Sequence, residues 1–349
     1  MATTWIRRRG TPRTGFRYVD ANDRAVRDKR TLARIDELRV PPAWRDVHVA
    51  ASPRSAIQAW GFDARGRKQY RYHDRAVELR EARKYYRVRQ LAKELPRIRR
   101  TLREDAKPGS SIDHLHADAV AAAVLRLISE TFCRIGNEKY LKENGTFGIA
   151  TLRKSHVEVA DGVARLEYRG KGRIRQCQVI HQRDLVRLIE RQLGTPGRRL
   201  FSYAAGSEWR VLTARDVNDY LKRRIGPYSA KDFRTWGGTL RAATVLAELG
   251  PAPSESAAKR NVALAMRLVS SELGNTPAIC RKSYVHPIVI ARYLDEGDTI
   301  PLPRARRNAT DRGQAHSPEE RALIAFLDRH FPERRKKPRA ESQHRASAA

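Results

Sequence analysis

Four separated residues of this chain have side chains suited to the transfer of a phosphodiester. Tyr284 lies in NTPAICRKSYVHP (275–287), just after basic and hydroxyl residues. Upstream, Arg134 stands in FCRIGNEKY, Lys171 in RGKGR and Arg234 in KDFRTWGGT. A tyrosine oxygen can attack a phosphate, while arginines bind its non-bridging oxygens and a lysine protonates the leaving oxygen. The set therefore indicates cleavage and rejoining of a DNA strand without metal or ATP.

Each of these residues also has an ordinary structural interpretation. A tyrosine hydroxyl has a pKa of about 10, so it is a poor nucleophile unless cations surround it. Arg134 and Arg234 could be structural ion-pair arginines. Lys171, between two glycines at a predicted hairpin tip, could simply be solvated. Taken singly, these alternatives are favoured, so the hypothesis depends on the residues occurring together.

The composition favours a polyanionic partner. The chain has 71 Lys and Arg against 39 Asp and Glu, a net charge of +32 that is spread along its length. So basic a protein repels itself unless a polyanion is bound, and duplex DNA is the expected partner. A basic ribosome-associated or nucleoid protein without chemistry is the competing interpretation.

Cysteine usage and hydropathy indicate a cytoplasmic, nucleoid-associated protein without membrane association. Cys133, Cys177 and Cys280 stand far apart with no CxxC pair, so they are expected to be reduced thiols. The most apolar run, residues 119–128, is short and carries Arg126, which is typical of a buried helix rather than a membrane span.

The hydrophobic pattern predicts an α+β chain in three parts. Residues 1–80 alternate in short runs and predict a small β-rich N-terminal DNA-binding domain. Residues 81–302 predict a larger, mostly α catalytic domain that contains a small antiparallel sheet at 149–180. Residues 303–349 predict a basic C-terminal tail, partly disordered, around one helix at 317–330. Removal of this tail is expected to spare the chemistry.

Three local predictions concern the surroundings of the chemical residues. Residues 77–103 are almost all charged, with a sparse apolar stripe, and predict a solvent-exposed basic helix that links the two domains. The stripe consists of Val77, Tyr85, Val88, Leu91 and Leu95. Arg134 is expected to leave the end of a long apolar helix at a turn. Arg234 is expected just before a helix that starts near Gly238, with Trp236 packed inward.

Together, the motifs resemble those of type IB DNA topoisomerases, in the compact poxvirus-like form found in bacteria. The resemblance covers roughly residues 5–300. It rests on motifs in the family's order: GRKQYRYHD (66–74), FCRIGNEKYLKENGTFGIATLRKSHV (132–157), GKG (170–172), KDFRTWGGT (231–239) and GNTPAICRKSYVHP (274–287). It implies the fold of type IB topoisomerases and tyrosine recombinases, with the two domains closing as a clamp around duplex DNA.

The resemblance also implies a role for each chemical residue. Tyr284 attacks the scissile phosphate to form a 3′-phosphotyrosyl bond, Arg134 and Arg234 stabilise the transition state, and Lys171 protonates the 5′-oxygen. The fifth position, usually histidine in the family, matches Asn275. Asparagine donates a hydrogen bond but does not titrate near neutral pH, so Asn275 is expected to serve as an oxyanion donor.

Contacts with duplex DNA are expected from residues outside this set. The candidates are Arg67, Gln69, Tyr70, Tyr72, Asn137, Tyr140 and Lys231. Gln69 could read adenine through a bidentate contact, and an ordinary strand with its tyrosines packed inward is the alternative. Neither ATP nor a metal is expected, since the sequence has no P-loop and no metal-binding pattern beyond the isolated pair His114 and His116.

The expected activity is relaxation of supercoiled duplex DNA by a monomer, through transient single-strand cleavage and religation. A tyrosine site-specific recombinase shares the fold and the chemistry but would need a recombination site and oligomer interfaces. The β-rich N-terminal unit and the RKSYVHP context favour the topoisomerase. A non-catalytic basic DNA-binding protein is the second alternative, and the complete set of four residues argues against it.

Overall fold

A computed structural model describes residues 4–107, 115–302 and 315–331. The chain divides into two compact units, residues 1–85 and 86–349. Of the isolated histidine pair, His114 lies outside the described residues, and His116 caps a helix by accepting from Ala119 N.

The first unit is a five-stranded antiparallel sheet with one helix. The strands are β1 (Trp5–Thr11), β2 (Gly15–Val19), β3 (Arg45–Ala50), β4 (Ile57–Phe62) and β5 (Lys68–Tyr72), in the order β2-β1-β3-β4-β5. Helix α1 (Lys29–Glu37) packs Ile35 against Ile6, Val47, Val49 and Ala59, which lie on one face of the sheet. Strand β1 gives only a weak strand signal in the sequence, because WIRRRGT has two apolar residues.

Helix α2 (Asp74–Asp105) continues from the first unit into the second, which is mostly helical. The further helices are α3 (Ala117–Thr131), α4 (Glu138–Asn144), α5 (Arg183–Leu193), α6 (Ala214–Tyr220), α7 (Ala230–Leu249), α8 (Glu255–Leu273), α9 (Pro277–Ser283), α10 (Pro287–Glu296) and α11 (Pro318–His330). One three-stranded antiparallel sheet contains β6 (Val157–Ala160), β7 (Val163–Arg169) and β8 (Arg175–Ile180); β9 (Ser202–Ala205) and β10 (Glu208–Val211) form a hairpin. The predicted α+β class is confirmed.

The prediction that the basic helix is solvent-exposed is wrong for most of α2. A stripe of apolar side chains recurs along it at helical spacing and is buried in the core of the second unit. The stripe consists of Val88, Leu91, Ala92, Leu95, Ile98 and Leu102. Part of this stripe is visible in the sequence, but the charged residues between its positions dominate the composition and favoured the wrong prediction.

Helix α11 belongs to the core of the second unit. Leu323, Phe326 and Leu327 are buried. Glu320 is only 3% exposed, and its carboxylate accepts from two nitrogens of Arg99 at 2.9 and 2.7 Å and from the indole of Trp236 at 3.4 Å. Removing the chain after residue 303 would therefore expose core, which reverses the expectation that truncation is harmless.

Two sequence predictions about the whole chain can be compared with the described residues. All three cysteines are free, with Cys133 and Cys280 buried and Cys177 exposed. Across the described ranges, no helix is both long enough and apolar enough to cross a membrane.

Candidate active site

Arg134 lies just past the end of α3, where Phe132 adopts a left-handed conformation (φ 52°) and turns the chain. Its main chain is fixed because Ile149 N donates to Arg134 O at 2.9 Å. Its guanidinium donates to three acceptors at the junction of α8 and α9. They are Leu273 O at 3.4 Å, Gly274 O at 3.0 Å and Asn275 Oδ1. The predicted position at a turn after an apolar helix is confirmed.

Arg234 lies inside α7, so the prediction of a helix that begins near Gly238 is wrong. The helix begins at Ala230, capped by Ser229 and Asp232. The Asp232 carboxylate accepts from Ser229 N at 2.8 Å, the arrangement of a capping box. This Ser-x-x-Asp spacing was the signal in the sequence that could have located the helix start. As a result, Arg234 projects from a rigid element and is 3% exposed.

The two arginines bond to the same main-chain carbonyl. Arg234 donates to Leu273 O at 3.0 Å and to Phe132 O, and Arg134 also donates to Leu273 O. Neither arginine forms an ion pair with any acidic side chain in the part of the chain that the structure describes. Burial, and secondly the charge of Arg234, lower the pKa of the Arg134 guanidinium. The pair therefore carries positive charge that the surrounding protein does not neutralise.

Two donors at this site are buried and poorly satisfied. Arg234 Nε has no hydrogen-bond partner among the described residues, and Asn275 Nδ2 has at most the Cys280 thiol, a weak acceptor. Buried polar groups are nearly always hydrogen-bonded, because an unmade bond costs about 1–3 kcal/mol. Poorly satisfied donors beside an uncompensated arginine pair are suited to bind the oxygens of an anion.

Tyr284 lies beside this pair at the C-terminal end of α9 and is half-buried. Its ring centroid is 5.1 Å from Arg234 Cζ and 5.7 Å from Lys231 Nζ. The structure thus brings together Tyr284, Arg234, Arg134 and Asn275, with Lys231 at the edge of the group.

Lys171 occupies the predicted hairpin tip, in a short 3-10 turn between β7 and β8, and is exposed. It makes no hydrogen bond or ring contact with the four residues just named, all of which are in the described chain. The base of the hairpin is nevertheless packed near them. Gln176 of β8 lies against Gly274, and its amide atoms are 2.5 and 2.6 Å from where a Cβ on that glycine would be.

The candidate DNA contacts of the first unit are divided between the two faces of β5. Tyr70 and Tyr72 stack on each other and are partly exposed. Gln69 points the other way, and its amide donates to Asp63 at 2.9 Å. Arg67 also binds Asp63 and lowers the pKa of that carboxyl. Gln69 would have to exchange this internal bond to read a base.

The candidate DNA contacts of the second unit lie on its surface. Tyr140 on α4 is 57% exposed, and Lys231 is exposed at the first turn of α7. Asn137 is exposed, but its side chain caps α4 by accepting from Lys139 N at 2.8 Å.

Sequence reasoning missed Tyr168, whose phenol is buried beside the arginines. Burial raises the pKa of this phenol well above its usual value, with Cys133 adding to the shift and Arg234 and Arg134 opposing it. The signal was the alternation in β7, which places Leu166 and Tyr168 on the buried face.

Gly274→Ala is expected to slow strand transfer. Gly274 is left-handed (φ 59°), so alanine costs about 1–2 kcal/mol of stability, and its Cβ would displace Gln176 and disturb the carbonyls that hold Arg134. Gly297→Ala is the control, because this glycine is also a left-handed helix cap (φ 66°) but its Cβ would make only an ordinary 3.4 Å contact. The melting temperature should fall in both variants, and at least as far in Gly274→Ala, whereas single-turnover cleavage should be slower in Gly274→Ala alone.

Comparison with known proteins gives matches over both units. Residues 68–300 match the family model of the eukaryotic DNA topoisomerase I catalytic core, and residues 15–63 match that of the bacterial DNA topoisomerase IB N-terminal domain. The chain is 31% identical to DNA topoisomerase 1B of Acanthamoeba polyphaga mimivirus, over 80% of this chain and 84% of that protein. It is 27% identical to DNA topoisomerase 1B of Vaccinia virus (strain Copenhagen), over 68% of this chain and 72% of the viral protein.

Among solved structures, the XerH site-specific recombinase bound to difH substrate aligns with a TM-score of 0.34 and 13% identity, over 58% of this chain and 53% of the recombinase chain. A similarity this low bears on neither fold nor function.

The two matching family models, one over each unit, define the class as a DNA-processing enzyme. The chain belongs to the type IB DNA topoisomerase family, whose catalytic-core model covers about two thirds of it. Its activity is accordingly that of a DNA topoisomerase, an isomerase, and DNA is its partner. The predicted family, enzyme class and DNA partner are confirmed.

Proposed function

We propose that the chain relaxes supercoiled duplex DNA by transient cleavage of one strand, with Tyr284 as nucleophile and Arg134, Arg234, Asn275 and Lys171 as the other catalytic residues. One observation carries this proposal: the buried Arg234 and the half-buried Arg134 have no carboxylate partner among the described residues, Arg234 Nε is unsatisfied, and the pair lies beside the Tyr284 ring. A phosphate that develops negative charge is the ligand this arrangement fits.

The cleavage step is a transesterification. The bond between Tyr284 Oη and phosphorus forms as the bond from phosphorus to the 5′-oxygen breaks. One DNA end then carries a 3′-phosphotyrosyl linkage and the other a 5′-hydroxyl. The phenolic proton is released, and the departing 5′-oxygen takes up a proton that Lys171 supplies from the hairpin tip. Religation runs the same step in reverse after the free end has swivelled.

This chemistry requires neither ATP nor a metal. The phosphotyrosyl bond replaces the broken phosphodiester one for one, so religation needs no further source of energy. In other phosphoryl-transfer sites a metal supplies positive charge. Here Arg134 and Arg234 supply it, because their guanidinium groups stay charged and can donate two parallel hydrogen bonds to the non-bridging oxygens.

The proposed contacts with duplex DNA come from side chains of each unit. The proposed contacts are Arg67, Gln69, Tyr70 and Tyr72 in the first unit and Asn137, Tyr140 and Lys231 in the second. The net charge of +32 favours non-specific contact with phosphates and association with the nucleoid. A single chain carries the complete proposed residue set, so the proposed active form is a monomer.

The direct test is to incubate the protein with negatively and with positively supercoiled plasmid in EDTA, without ATP. The proposal predicts relaxation of both, because swivelling about a nick releases torsion of either sign. Relaxation that depends on added Mg²⁺ or ATP would contradict it. Strand exchange confined to one specific site, without general relaxation, would instead favour the recombinase alternative.

Asn275→His is expected to retain substantial cleavage activity, whereas Asn275→Asp is expected to lose it. The Asn275 oxygen accepts from Arg134, and its Nδ2 is a buried donor with at most the weak Cys280 thiol acceptor beside it. A neutral imidazole can accept with one nitrogen and donate with the other, but a carboxylate only accepts. Losing one such donor costs about 10²–10³ in rate. Single-turnover cleavage compares the variants, and equal rates for histidine and aspartate would exclude a donor role.

A further inference from the structure

The side chain of Thr239 on α7 contacts the main chain of the Tyr284 segment at two points, the carbonyl of Tyr284 and the amide of His286. Thr239 Oγ1 accepts from His286 N at 3.1 Å and lies 3.2 Å from Tyr284 O, to which it can donate. It also lies 2.7 Å from Thr235 O, so its single proton is shared between two carbonyls. Thr239 is 1% exposed, so bulk water does not compete for these bonds.

The neighbouring turn of α7 is shaped to let this segment approach. A Cβ on Gly238 would lie 2.9 Å from Tyr284 O and 3.3 Å from Tyr284 Cβ, so a larger residue would push the tyrosine away. On its N-terminal side, Tyr284 is held by α9, because Tyr284 N and Val285 N both donate to Cys280 O, at 2.9 and 3.1 Å. On its C-terminal side, the Thr239 hydroxyl bonds to Tyr284 O and His286 N. The His286 ring also accepts from Ile288 N at 3.2 Å at the start of α10.

We infer that Thr239 is a positioning residue that sets where the Tyr284 hydroxyl lies relative to Arg234. The inference rests on the proposed role of Tyr284 as nucleophile. Arg234 and Thr239 belong to one α-helix, and a helix keeps its residues at fixed separations. The same helix therefore carries Arg234, which is proposed to stabilise the transition state, and Thr239, whose hydroxyl fixes the main chain of the attacking residue.

This role predicts a specific kind of defect. A displacement of about 1 Å at a reacting group can lower the rate about 10²-fold without changing how the substrate binds. Loss of the Thr239 hydroxyl should therefore slow the attack on phosphorus. It should not alter the affinity for duplex DNA or the delivery of a proton to the 5′-oxygen.

The test compares Thr239→Val, Thr239→Ser and Thr244→Val in single-turnover cleavage of a duplex oligonucleotide, with DNA affinity and melting temperature measured in parallel. Valine removes the hydroxyl at nearly constant volume, and serine restores it. Thr244 is the matched control, because its Oγ1 bonds to Leu240 O of the same helix at 3.0 Å and not to the tyrosine segment. If the valine variant does not fold, Thr239→Ala removes the hydroxyl without adding a methyl group beside polar atoms.

The expected result is cleavage slowed about 10- to 100-fold in Thr239→Val, with wild-type affinity, and near-normal rates in Thr239→Ser and Thr244→Val. Serine as slow as valine, or an equal loss in Thr244→Val, would overturn the inference, because the hydroxyl contact would then not be the cause.

A second substrate separates positioning of the nucleophile from protonation of the leaving group. A 5′-bridging phosphorothiolate places sulfur at the departing position, and a thiolate leaves without being protonated. On this substrate, the cleavage rate of Lys171→Ala should return to that of the wild type. The cleavage rate of Thr239→Val should remain as far below the wild-type rate as it is on the ordinary substrate. Restoration of Thr239→Val would mean that Thr239 acts through the acid, which contradicts the inference. An adduct formed by Tyr284→Phe in the same series would instead refute the proposed function.

Discussion

Tyr284→Phe is expected to abolish the covalent adduct between protein and DNA while leaving the affinity for duplex DNA nearly unchanged. The variant loses only the phenolic oxygen, which is the atom proposed to bond to phosphorus. The ring that lies beside Arg234 and Lys231 is retained, and phenylalanine also presents a π-face to these cations. The main-chain bonds of residue 284 do not involve its side chain.

The measurement is a denaturing gel of labelled duplex oligonucleotide after incubation with each protein, beside a binding titration. Tyr203→Phe is a suitable control, because it removes the hydroxyl of a half-buried tyrosine in the β9–β10 hairpin. This control should form the adduct as the wild type does. A protein–DNA adduct in Tyr284→Phe would assign the nucleophile to another residue.

Ending the chain after residue 302 is expected to unfold the second unit at ordinary temperatures. The truncation removes the buried side chains Leu323, Phe326 and Leu327, each worth about 1.5–3 kcal/mol, so the loss is about 5 kcal/mol or more. It also removes Glu320, the carboxylate that binds Arg99 and Trp236. Domains of this kind are stable by only about 5–15 kcal/mol in total, so such a loss is severe.

The matched control ends after residue 331, which keeps the whole of α11 and removes only residues 332–349. Urea unfolding and adduct formation should be near wild type for this longer protein and strongly impaired for the shorter one. Full stability and cleavage in the protein that ends at residue 302 would show that α11 contributes little. An equal loss of stability and adduct formation in both truncated proteins would show that residues 332–349, and not α11, are responsible.

The local settings of several candidate residues could be predicted from the sequence. Arg134 at a turn, Lys171 at a hairpin tip and Trp236 in the core each followed from the immediate neighbours. The start of α7 was misplaced because Gly237 and Gly238 are poor helix formers. In the structure these glycines lie within the helix, where the ring of Phe132 and the main chain of Tyr284 pack closely against them. Tertiary packing here outweighs local preference.

The arrangement of the site could not be predicted, because it depends on contacts between distant segments. Leu273 O receives bonds from Arg134 and Arg234, which come from different parts of the sequence. Nothing in the residue types around Leu273 indicates this, since every residue has a carbonyl. The contact between Thr239 and Tyr284 could not be predicted either. The chain has many hydroxyl groups, and only the packing of α7 against the end of α9 brings this one to the carbonyl of Tyr284.

The arginine pair is held by main-chain carbonyls rather than by carboxylates, and this affects how readily a phosphate could bind to it. Leu273 is the last residue of α8, so the acceptor lies at the helix end that carries partial negative charge. A carboxylate would hold the guanidiniums more tightly, but it would be an internal competitor that the phosphate must displace. A carbonyl orients them and leaves the full charge in place. On the proposed mechanism, the positive charge of the site is therefore already oriented for a phosphate before DNA arrives, since no internal carboxylate has to be displaced.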